Sequence, residues 1–168
     1  MPPDLGQLYD EHAAALFAFV LNLTRNEADT RDVLQEVFLK LARQPRRMEG
    51  VREMRAWLLR MAHRQAIDAS RRRSSHDRAI ERAAAEPAEL FAPNEERWEQ
   101  AFREAVASAM RELPEEQRAV VHLKLWEDMT FAEIAATLGI PANTAASRYR
   151  YALDKLGDLL RPLHDERT

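Results

Sequence analysis

The 168-residue chain contains no cysteine. That excludes disulfides and thiolate metal sites and fits a reducing cytoplasm. It has four glycines, and no Gly-rich phosphate loop is formed. With helix-forming Ala, Leu, Glu and Arg throughout, the chain is predicted to be all-α. No apolar run approaches the ~20 residues that span a bilayer, and no signal peptide precedes Leu5, so a soluble cytoplasmic protein is expected. The five histidines, His12, His63, His76, His122 and His164, are scattered without metal-ligand spacing. No serine sits in a nucleophile motif. No catalytic residue, metal site or cofactor is expected, and no intrinsic enzyme activity.

What is present is a folded composition, 46% apolar and 32% charged, with room for one ordinary domain or two small ones. The net charge of -3 hides an uneven distribution. Residues 1–83 hold 15 basic and 12 acidic side chains, residues 84–112 hold 3 and 7, and residues 113–168 hold 7 and 9. Between Arg43 and Arg73 ten arginines face only Glu49, Glu53 and Asp68. A local stripe of this kind, rather than global charge, is the electrostatic footprint of a nucleic-acid binder.

The most structured stretch runs from Leu113 to Leu156. Pro114, Glu115 and Glu116 mark a helix start, with Ala119, Val120, Leu123 and Trp126 as its supporting face. Thr130 and Glu133 form a capping-box pair opening a short apolar helix, and Gly139 marks its left-handed stop. In the helix that follows, Ala145, Tyr149, Ala152, Leu153 and Leu156 are expected inside. Asn143, Ser147, Arg150 and Tyr151 are expected outside, flanked by Thr144 and Arg148. This is helix-turn-helix grammar, and the short polar, cationic and aromatic outer set suits a major groove. The same pattern also fits a plain antiparallel packing unit with a glycine turn.

Nearer the start, a first helix is predicted from about Leu5 to Leu23, with Leu8, His12, Leu16, Phe19, Val20 and Leu23 as core. Asn26 and Asp29 cap a second helix whose apolar side is Leu34, Val37, Phe38 and Leu41. On its other side, Glu36 and Lys40 also fit a simple i,i+4 surface pair. Pro45 and Gly50 break the chain. In the helix Met54–Arg73, Met54, Trp57, Leu58 and Met61 are expected to define the inner face, while Arg60, Arg64, Asp68 and Arg71 line an outer stripe. Trp57 can either pack in the core or stack a base. Residues 74–94, with Pro87, Pro93 and several glutamates, read as a linker with some helix at its start. A last helix is expected over Glu95–Arg111, with Trp98, Phe102, Val106 and Met110 at intervals of four.

LPEEQRAVV, TFAEIAATLGIP and TAASRYRYALDKL resemble region 4 of the sigma-70 family, specifically its extracytoplasmic-function sigma factors. ADTRDVLQEVFLKLAR resembles sigma region 2.2, and MRAWLLRMAHRQAIDASRRR resembles regions 2.3 and 2.4. The blocks stand in the family's order and cover nearly the whole chain. The resemblance implies a region 2 helical bundle at 1–75, an acidic linker at 76–94 that in the family passes near the RNA exit path, and a region 4 helix-turn-helix at 95–168.

It implies a sigma factor that binds core RNA polymerase and directs initiation at minus-35 and minus-10 elements. Polymerase docking on the beta-prime coiled coil falls to Asp32, Gln35, Glu36, Phe38 and Leu39, with the beta flap as a further contact. Minus-10 capture and melting fall to Arg46, Arg47, Arg52, Trp57, Arg60, His63, Arg64, Arg71 and Arg72. Minus-35 recognition falls to Asn143, Thr144, Ser147, Arg148, Arg150 and Tyr151. Promoter DNA and an anti-sigma factor are the other implied partners, and the free chain is expected to be a monomer. Two departures stand out: Asn143 to Arg148 lack a lysine frequent in the family, and Arg64 replaces a frequent asparagine. The rival readings are a helix-turn-helix repressor and a sigma mimic that sequesters an anti-sigma factor.

Overall fold

A computed structural model describes the backbone of residues 1–72 and 97–165 and the side chains of 1–72 and 100–162. The linker expected at 76–94 lies outside these residues, as do Arg73 and the Trp98 side chain. The described residues form two compact units, α1 to α3 in the first and α4 to α7 in the second.

In the first unit, α1 spans Leu5–Thr24, capped by Asp4, whose carboxylate accepts from the Gln7 amide at 2.9 Å. Helix α2 spans Glu27–Arg43 and starts at Asn26, whose side chain accepts from the Asp29 amide at 3.0 Å. A short 3-10 turn over Pro45–Met48 follows, Gly50 takes a positive φ of 76°, and α3 runs over Met54–Arg72. Each of the three helices packs on the other two. Leu16, Phe19 and Val20 of α1, Val37 and Leu41 of α2, and Leu58, Leu59 and Ala62 of α3 are sealed from water. Burial at this level is the main stabilising term of so small a bundle.

The expected inner face of α3 is corrected. The buried row is Leu58, Leu59, Ala62, Gln65 and Ala66, while Met54, Trp57 and Met61 are half-buried at its margin. At about 100° per residue the true row lies roughly a quarter turn from the expected one. The spacing of the large residues Met54, Trp57 and Met61 pointed to one side, but the alanines let α1 and α2 approach on the other.

In the second unit, α4 spans Arg97–Glu112, α5 Glu115–Leu125, α6 Phe131–Leu138 and α7 Ala142–Asp165. Helix α7 packs against all of α4, α5 and α6. Ala109, Met110 and Leu113 meet Val121, Ala152 and Leu156 in one buried cluster, edged by Val106, Tyr149 and Leu160. Phe102 and Leu153, both expected inside, are exposed, as is Trp126. Trp126 instead stacks on His122, with ring centroids 5.4 Å apart. Two polar residues are buried in α5 alongside Ala119, Val120 and Leu123: Arg118 donates to the Leu113 carbonyl at 3.0 Å, and His122 lies beneath Trp126. Lys155 donates to the Glu112 carbonyl at 2.8 Å, closing the end of α4.

Candidate nucleic-acid interface

The turn of the helix-turn-helix is built as its residues dictate. Thr130 Oγ1 accepts from the Glu133 amide at 3.2 Å, and Glu133 accepts from the Thr130 amide at 3.4 Å, a complete capping box. Gly139 ends α6 with φ of 69°, a conformation that side chains with a Cβ adopt at a cost. Behind the turn, the Lys124 ammonium donates to the Met129 carbonyl at 3.1 Å and lies 4.6 Å from the Phe131 ring centroid. Phe131 in turn meets Tyr149 edge to face at 5.5 Å. These contacts hold α7 against α6.

Ala145, Ala152 and Leu156 face inward from α7. Asn143, Arg150 and Tyr151 are exposed, and Thr144, Ser147 and Arg148 are partly so. The Arg150 guanidinium lies 5.4 Å from the Tyr151 ring. One face of α7 therefore offers hydrogen-bond donors, acceptors and an aromatic ring at helical spacing, as base-edge readout requires.

The first unit offers a different surface. Met48 is buried and anchors the 3-10 turn, which leaves Arg46, Arg47 and Arg52 in solvent. Arg60, Arg64, Arg71 and Arg72 are exposed along α3, together with Asp68. Among the described residues, no carboxylate forms an ion pair with Arg60 or Arg64. Trp57 is half-buried on this same side of α3, three residues before Arg60.

His63 stands apart from the cations. It packs on Phe19, with ring centroids 6.4 Å apart. Burial, and then the adjacent Arg64 charge, lowers its pKa from 6.5 to about 4. At neutral pH it is uncharged and adds nothing to the positive stripe. His122 in the second unit is lowered to about 4 by burial alone.

On α2, Asp32, Gln35, Glu36 and Leu39 are exposed and recur at helical spacing. Phe38 is half-buried at one edge of that row, where Tyr9 of α1 meets it edge to face at 5.1 Å. Tyr9 directly follows the core residue Leu8 and is itself exposed, and no spacing rule in the sequence links it to Phe38. Lys40 is a second addition. Its ammonium reaches across to Gln65 of α3 at 2.6 Å, which gives it a role other than a surface partner for Glu36.

Residues 8–76 match the family described as Sigma-70 region 2, and residues 103–156 match Sigma-70, region 4. The chain is 35% identical to the ECF RNA polymerase sigma factor SigL of Mycobacterium tuberculosis over 93% of its own length and 88% of that protein. It is 30% identical to the RNA polymerase sigma factor CarQ of Myxococcus xanthus, over 95% and 90%. Among solved structures, the fold is similar to that of the sigma factor RpoE from Bartonella quintana, crystallised with the anti-sigma factor NepR. The TM-score is 0.71 at 20% identity, over 93% of this chain and 96% of that one. With both sigma regions present in order and relatives aligned almost end to end, the chain belongs to the extracytoplasmic-function sigma factors of the sigma-70 family, which direct promoter-specific transcription initiation by RNA polymerase.

Proposed function

We propose that the two units divide promoter recognition by chemistry. Helix α7 reads minus-35 duplex through Asn143, Thr144, Ser147, Arg148, Arg150 and Tyr151 in the major groove. The turn before α3, with Arg46, Arg47 and Arg52, and the α3 face of Arg60, Arg64, Arg71 and Arg72 hold the backbone of melted minus-10 DNA, with Trp57 placed to stack an unpaired base. The row of Asp32, Gln35, Glu36 and Leu39, edged by Phe38, docks on the beta-prime coiled coil of core polymerase, and the second unit meets the beta flap.

The observation that carries this reading is the contrast between the arginine face of α3 and the mixed polar face of α7. On this reading the chain works in the cytoplasm, has no catalytic step of its own, and is a monomer held in check by an anti-sigma factor. Each unit makes few contacts, so the free chain binds DNA weakly and gains affinity when polymerase fixes both units on one promoter.

The test is to combine the purified chain with sigma-free bacterial core polymerase and a genomic DNA library, then sequence the transcript starts. Starts clustered downstream of a shared two-part motif are expected. Core binding without starts would favour a sigma mimic, and failure to bind core would favour an independent repressor.

A further inference from the structure

Gln65 is 5% exposed and lies in a row of Leu58, Leu59, Ala62 and Ala66. A buried amide in such a row is destabilising unless it is hydrogen-bonded. Its oxygen accepts from the Lys40 ammonium at 2.6 Å, across 25 positions of sequence. Because the donor is charged, the bond is stronger than a neutral one.

The placement of the pair matters as much as its strength. At about 100° per residue, Lys40 lies on one edge of α2, between the buried row Val33, Val37, Leu41 and the exposed row Asp32, Glu36, Leu39. Gln65 directly follows Arg64 on α3. Leu58 and Leu59 seat one end of this row, but Ala62 and Ala66 beside Gln65 form no ridge that would resist a slip there. The Lys40–Gln65 bond ties one point on α2 to one point on α3 at that place and adds the missing resistance.

We propose that Lys40–Gln65 is a positioning strut that fixes the rotation and register of α3 against α2. When α2 is docked on polymerase, the strut delivers Arg60 and Arg64 to the melted strand. This rests on the assignment above of α2 to docking and α3 to promoter opening. Lys40 and Gln65 touch neither polymerase nor DNA in this scheme; they act through α3.

The experiment uses the full chain with core polymerase on a promoter from the start-site mapping, carrying a fluorescent base analogue in the minus-10 element. Three variants are compared with the native chain: Lys40→Met/Gln65→Met, Gln65→Glu and Arg60→Ala/Arg64→Ala. The first removes both partners together, so no buried group is left unpaired and thermal unfolding stays close to native. It is expected to bind core normally and to open the promoter on the order of fivefold more slowly at equal occupancy. Gln65→Glu keeps an acceptor for the ammonium and is expected to open at the native rate.

The strut is overturned if the double methionine variant opens at the native rate, if it fails to fold, if it loses core binding, or if Gln65→Glu folds but opens slowly. The arginine variant separates the two levels. Native opening by Arg60→Ala/Arg64→Ala would remove the role of α3 itself. Slow opening by that variant beside native opening by the methionine pair would remove only the strut.

Discussion

Helix α3 turns five arginines and one carboxylate to solvent, whereas the outer face of α7 mixes an amide, two hydroxyls, two guanidiniums and a phenol. Guanidiniums in a row hold phosphates wherever they occur and are indifferent to the bases beside them. A mixed set of donors and acceptors can tell one base pair from another. On the proposed division of labour, the two helices take opposite tasks, α3 gripping any strand that has been opened and α7 choosing where to open it. The scaffolds differ in parallel. The first unit is three helices in mutual contact, while the second is three shorter pieces gathered around α7.

Acid should erase the contrast, because each unit buries one neutral histidine. His63 and His122 have folded pKa values near 4 against 6.5 unfolded. The unfolded state therefore binds more protons between these values, and stability is complete above pH 6.5 and falls as pH drops toward 4. The full loss is on the order of 3 kcal/mol per unit. Urea unfolding at pH 7 and pH 5 should show a lower midpoint at pH 5 in both units. Replacing His63 with Gln should flatten the pH dependence of the first unit only.

Next in size is the arginine face. Arg60→Ala/Arg64→Ala should slow promoter opening on the order of a hundredfold and lower its salt dependence, leaving core binding and minus-35 preference unchanged. Opening kinetics at two salt concentrations check this. Arg150→Ala sharpens the other side of the comparison. It should cost roughly tenfold in discrimination at a minus-35 position, with little change in salt dependence, as read by competition between native and substituted promoters.

The smallest effect is structural and confined to the second unit. Gly139→Ala meets no atom within 4 Å of the added Cβ, so its cost is the positive φ alone, about 1 kcal/mol, seen as a lower unfolding midpoint.

Much of this architecture was legible in the sequence. The caps at Asn26 and Thr130 and the stops at Pro45 and Gly139 are local chemistry, and they set helix boundaries close to those expected. Exposed charged residues were equally readable, since arginines in a helical stripe seldom turn inward. The errors lie where packing between helices decides. In α3 the close approach runs over Ala62 and Ala66 rather than under Trp57, and Leu153 on α7 is 40% exposed because the core of that helix is narrower than its apolar pattern. Gln65, Arg118 and His122 are polar by type and buried by contact, and no periodicity rule places such residues inside. His63 was grouped with the cations by its neighbours, whereas its burial against Phe19 leaves it neutral.

The division between the two helices is tested most directly by crossing protein variants with promoter variants. Native chain, Arg150→Ala and Arg60→Ala/Arg64→Ala would each be combined with core polymerase on a native promoter, a minus-35 substitution and a minus-10 substitution, with opening rates measured for all nine pairs. The account predicts that Arg150→Ala becomes insensitive to the minus-35 change alone, and that the α3 variant opens every promoter slowly while keeping the native minus-35 preference. Loss of minus-35 preference in the α3 variant, or uniformly slow opening with intact preference in Arg150→Ala, would contradict it.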